Sequence, residues 1–131
     1  MKRSVLVALG IFALYIGVAY SVMTTDTYTY KKLNETAEIP LPVGANYRRT
    51  VRNANSVSEE HIYRVCNGKN KAKCGFWENV KTKKKVASGK TTYNKNKKMM
   101  IVKNLIETDF GTYMTGNKKK SYDVNKLVVK G

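Results

Sequence analysis

The sequence predicts an all-β chain: an antiparallel β-sandwich preceded by one N-terminal hydrophobic helix. Three observations predict it. Short alternating or apolar runs recur between turn signals, and nothing after residue 21 shows an amphipathic helical period. The run from Met100 to Thr115 sets apolar residues, a carboxylate, a glycine and a tyrosine at fixed offsets, as where a strand turns a corner. Removing a 21-residue leader from 131 residues leaves 110, which suits one sandwich.

The leader is read from its charge and its end. Lys2 and Arg3 are positive, Val5 to Tyr20 is uncharged and apolar, and Ala19-Tyr20-Ser21 places small residues where a signal peptidase reads. Residues 1–21 are read as a secretory signal cleaved after Ser21. The run is slightly long for a signal and slightly short for a span, so the alternative is a single-pass anchor over residues 4–23. Either way the remainder is delivered across a membrane, with the positive end left in the cytosol. Membrane contact is expected only through that segment if it is uncleaved. Residues 22–38 follow as a polar, threonine-rich segment, and 39–131 as the folded domain.

Twenty-five lysines and arginines against nine acids give a formal charge of +16. A surface this basic is drawn to polyanions, which outside a cell are sulfated glycans, anionic headgroups or acidic protein faces. Export sets nucleic acid aside as a partner. The plainer reading is that lysine only keeps a small domain soluble. Cys66 and Cys74 both lie in the exported part and are expected to bond to each other. No CxxC is present, and one histidine with two thiols makes a poor zinc set, so neither metal nor cofactor is expected.

The elements follow in order. Met23 to Tyr30 alternates loosely, as a ragged first strand. Asn34-Glu35-Thr36 is an acceptor sequon for N-glycosylation. Pro40 and Pro42 mark an edge or a kink, because proline cannot donate to a ladder. Ala45 to Arg52 reads as a strand with mixed signals, Arg49 lying between Tyr47 and Val51. His61 to Cys66 is a better strand and Cys74 to Val80 its return, joined by a lysine-rich turn containing Gly68. Val86 to Tyr93 makes one or two weak strands around Gly89. Met99 to Val102 is strongly apolar and leads into the corner. Tyr113 to Thr115 begins the next strand, and Tyr122 to Lys130 is the last, with Leu127 and Val129 on one face.

The run Met100-x-Val102-x-x-Leu105-x-x-x-Asp109-x-Gly111-x-Tyr113-x-Thr115 resembles the E–F region of immunoglobulin-like domains of the variable or intermediate set. The resemblance implies a role for each residue. Met100 and Val102 fill the core from strand E and Leu105 caps the bottom of the sandwich. Asp109 fixes the turn, Gly111 permits a tight backbone, and the Tyr113 hydroxyl bonds back to the corner. Leu127 and Val129 look like core residues of the family's last strand. Thr115 stands where the family has its second cysteine, so the usual inter-sheet disulfide cannot form and Cys66–Cys74 must be a different staple.

Two registers fit the front half. In the preferred one, Ala45 to Arg52 is strand B, His61 to Cys66 strand C and Cys74 to Val80 strand C′. Val51 then takes the first cysteine position, and Tyr63 or Ile62 that of the core tryptophan. In the other, His61 to Cys66 is strand B and Trp77 is the strand-C tryptophan, which leaves 39–60 as a long insertion. The first register pairs Tyr63 with Trp77 across a hairpin closed by residues 67–73, and lays Arg64 over the Phe76 ring.

No active site is legible. His61 beside Glu59 and Glu60 reads as a surface histidine, and any serine completes a triad with it, which is no signal at all. The fold therefore points to a secreted or cell-surface binding module that recognises an extracellular protein or a sulfated glycan, with an apolar patch near Trp77 or the outward Met99 and Ile101. The alternative is a cationic effector that binds polyanions or membranes through Lys69, Lys71, Lys73, Lys81, Lys83, Lys84 and Lys85.

Overall fold

A computed structural model describes residues 27–128. The residues read as a signal or anchor, and Val129, lie outside the described residues. Nine strands form: β1 (Tyr28–Lys31), β2 (Ala37–Pro40), β3 (Asn46–Arg52), β4 (Ser58–Arg64), β5 (Trp77–Asn79), β6 (Lys90–Asn94), β7 (Met99–Lys103), β8 (Gly111–Thr115) and β9 (Ser121–Lys126). They make a six-stranded sheet, β1-β9-β8-β3-β4-β5, and a three-stranded sheet, β2-β7-β6. β1 runs parallel to β9, and the other pairings are antiparallel.

This is the strand order of a variable-type immunoglobulin-like sandwich. β9, β8, β3, β4 and β5 stand as strands G, F, C, C′ and C″, and β2, β7 and β6 as B, E and D. The order corrects both registers expected for the front half. Strand B is Ala37–Pro40, so Ala45 to Arg52 is strand C, and the strands at His61 and Trp77 become C′ and C″, while E and F stay where the corner motif puts them. β2 escapes a pattern search because it has four residues, begins after a polar stretch and ends on a proline. Its Ala37 and Ile39 are nevertheless fully buried. Val51 therefore does not hold the first cysteine position.

Alternation decides what enters the core. Tyr47, Arg49 and Val51 of β3 point inward, as do His61 and Tyr63 of β4 and Tyr122 and Val124 of β9. Met100, Val102 and Leu105 are fully buried. Trp77 is buried too, its ring 5.4 Å from that of Tyr63 and 5.6 Å edge-on from that of Tyr113. It therefore forms no surface patch. Tyr63 pairs with Trp77 in the β4–β5 ladder, as the hairpin register predicts. Leu127 is a correction. It is 43% exposed and lies past the end of β9, where no facing strand among the described residues covers it. Met99 and Ile101 are half-buried on the outer face of the three-stranded sheet, between the Glu38/Pro40 and Thr92/Asn94 rows.

Candidate binding face

The corner is held from below by a charge that the sequence reading did not place. The Tyr113 hydroxyl donates to the Asp109 carbonyl at 2.6 Å. The Asp109 carboxylate accepts from the Ile106 and Gly89 backbone N–H groups and from the Ser88 hydroxyl. It also takes Arg49 Nη1 at 2.7 Å, in an ion pair with both side chains fully buried. The same guanidinium donates to the Tyr113 oxygen at 3.0 Å and lies 4.3 Å over the Trp77 ring. Gly111 serves through close approach, since a Cβ there would sit 2.2 Å from the Thr50 carbonyl of β3.

His61 is not a surface residue. It is fully buried, with Arg49 Nε donating to its Nδ1 at 3.0 Å. Its Nε2 therefore carries the proton and donates to Glu59 Oε1, also at 3.0 Å. Burial holds the imidazole below its ordinary pKa, while the bonds from His61 and Asn53 hold Glu59 below the usual carboxylate range. The legible clue was Arg49 itself. An arginine on the inward face of a strand, between Tyr47 and Val51, requires a buried carboxylate, and Asp109 was at hand. His61 and Asp109 are sealed from solvent, and the chain of bonds from Glu59 to Asp109 joins strands C and C′ to the corner.

Among the described residues no second layer packs on the opposite side of the six-stranded sheet, and alternation fixes which residues face it. One row runs Ser121, Met114, Arg48, Ile62, Glu78 across five strands. A second runs Tyr28, Asp123, Thr112, Thr50, Glu60. Tyr28 and Tyr30 are 55% and 56% exposed at the β1 edge and stack edge to face at 5.9 Å. Charges on this face are largely paired. Glu60 accepts from Arg48 and from Lys118, each at 2.7 Å, and these bonds lower its pKa, the Lys118 bond most. Arg64 pairs with Glu78 at 3.3 Å and so does not cover Phe76, whose ring instead lies 5.5 Å from the Lys85 ammonium.

The lysines divide between the two ends of the sandwich. The 65–76 loop carries Lys69, Lys71 and Lys73; Lys81, Lys83 and Lys84 lie beyond β5 at the opposite end, and Lys85 has already turned back beside Glu78 and Phe76. The seven do not form one patch. The first three instead share their end with Lys95, Lys97 and Lys98 of the β6–β7 turn and Lys118, Lys119 and Lys120 of the β8–β9 turn. Cys66 and Cys74 are bonded, with Cα atoms 5.0 Å apart, across the base of the first of these loops. Asn34 is exposed at the other end, its backbone N–H bonded to the Leu105 carbonyl. Among the described residues no group of acids, histidines or cysteines is placed to hold a metal, and no helix is long and apolar enough to cross a membrane.

No protein-family model matches the sequence, and no curated protein matches it. Among solved structures, the chain is similar to the extracellular domain of the voltage-gated sodium channel beta4 subunit. The likeness has 14% identity and a TM-score of 0.45, and covers 82% of this chain and 90% of that one. That domain forms parallel homodimers that explain its role in cell–cell adhesion.

Proposed function

We propose that the chain is an exported immunoglobulin-like binding module that recognises another protein through the outer face of its six-stranded sheet. The supporting observation is the composition of that face. Met114 and Ile62 flank Arg48 at its centre, two exposed tyrosines stand at its edge, and most of its charges are internally paired. Methionine, tyrosine and arginine are the residue types enriched where proteins meet, and pre-paired charges lower the cost of desolvating such a surface. No second layer covers this face among the described residues.

The test is binding of a labelled, multimerised chain to the surface of intact cells in about 0.5 M salt, where exposed charges are screened. Binding that survives this salt and is lost in Ile62→Asp with Met114→Asp supports the reading. Binding that vanishes with salt, or ignores the double variant, overturns it.

A further inference from the structure

We infer that one end of the sandwich is a docking site for a sulfated glycan chain, built by three lysine-bearing turns around an uncharged centre. The strand order brings four connections together there: 41–45, 65–76, 95–98 and 116–120. The first lies in the middle. One cleft of about 470 Å³ joins it to the β8–β9 turn, and another of about 420 Å³ joins it to the 65–76 loop and Lys95. Bonds fix these neighbours. Val65 N–H donates to the Ala45 carbonyl, Arg48 Nε to the Gly116 carbonyl and the Tyr93 hydroxyl to the Leu41 carbonyl.

The four connections hold nine lysines and no carboxylate. All nine are exposed, and among the described residues only Lys118 is in an ion pair. Each lysine turn is stiffened the same way, by an asparagine oxygen that accepts backbone N–H groups. Asn67 takes Lys69 and Asn70, Asn94 takes Lys97, and Asn117 takes Lys119. The disulfide closes the largest of the three. The positive charges are thus held on ordered turns, which limits the ordering cost of binding. The opposite end differs, since its lysines share it with Glu35, Glu59 and Glu107.

Shape selects the ligand. A flat bilayer would touch only the protruding turns and leave both clefts empty, with Val43 as the single large apolar side chain exposed in the central loop. A flexible, repeatedly charged polymer follows clefts between rows of cations. Sulfate groups every few ångströms match lysines on three turns, each neutralised contact releasing a counterion.

The experiment uses heparin with the exported chain. Two variants of equal charge loss are compared: Lys71, Lys95, Lys97 and Lys119 each to Gln, and the opposite-end Lys81, Lys83, Lys84 and Lys103 each to Gln. Thermal melts verify that both remain folded. The parent chain should stay on heparin well above about 150 mM salt, the first variant should lose about tenfold or more in affinity at that salt, and the second should lose less than about threefold. Equal losses, or elution of the parent chain below that salt, overturn the inference. So does binding of anionic vesicles or a short DNA strand at the same salt, as tight as heparin and equally dependent on the first set. The inference is independent of the sheet face: Ile62→Asp with Met114→Asp should leave heparin retention unchanged.

Discussion

Arg49 and Asp109 lie sixty residues apart in sequence and meet at 2.7 Å as a fully buried ion pair, roofed by Trp77 and closed by the Tyr113 hydroxyl. The pair ties strand C to the corner between strands E and F, so three elements share one charge balance. Removing one partner leaves the other buried and uncompensated. Arg49→Met or Asp109→Asn should each cost about 3–5 kcal/mol, and the double variant clearly less than the sum, because the second change removes the orphaned charge. Chemical denaturation of the four proteins measures this. Additive costs would mean that the two side chains stabilise the fold separately.

His61 makes the stability pH-dependent in a window of its own. Burial depresses its folded pKa below the ordinary 6.5, so the unfolded chain binds a proton that the folded one refuses. Arg49 on one ring nitrogen opposes protonation, Glu59 on the other favours it, and Asp109 adds a smaller favourable field; desolvation outweighs them. Stability should be full above pH 6.5 and fall as the pH drops from there toward the folded value. Below 4.5 the depressed carboxyls of Glu59 and Glu60 add a second loss. The sequence holds one histidine, so the upper limb has a single source. His61→Gln can keep both hydrogen bonds without titrating. Denaturation midpoints between about pH 5 and 7.5 should slope in the parent and flatten in this variant. A slope unchanged in the variant would place the titration elsewhere.

Local chemistry in the chain made the corner legible, because Leu105, Asp109, Gly111 and Tyr113 act within a few residues of one another. The Tyr63–Trp77 pairing was legible for the same reason: a disulfide across a short hairpin fixes register without knowledge of the rest. What failed depended on distant partners. Ala37–Pro40 has too little pattern to declare itself a strand, and is one only because β7 pairs with it. His61 beside two glutamates looks exposed until Arg49 arrives from the next strand. The lysines of 69–85 look like one cluster in sequence. The strand between them separates Lys69, Lys71 and Lys73 from Lys81, Lys83 and Lys84, and the turns after β6 and β8 complete the group that does assemble.

The Cys66–Cys74 bond lies outside the core. Cys66 is exposed, Cys74 is half-buried, and the loop between them contains the 3₁₀ turn Lys71–Lys73. Gly75 follows at φ +78°, a left-handed turn beside the Cys66 sulfur, where a side chain would be both strained and crowded at 3.2 Å. The bond therefore restrains one short loop and joins no two sheets. Its loss should cost about 2–3 kcal/mol through unfolded-chain entropy, in the lower part of the range for disulfides. The double variant Cys66→Ser with Cys74→Ser should then melt earlier yet keep the parent fluorescence of Trp77, whose place is fixed by its β4 ladder partner and by packing against Tyr63 and Tyr113 in the core. Backbone amides of residues 67–73 should lose protection against hydrogen exchange while those of 99–115 keep it. Protection lost evenly in both segments would show instead that the staple holds the sandwich as a whole.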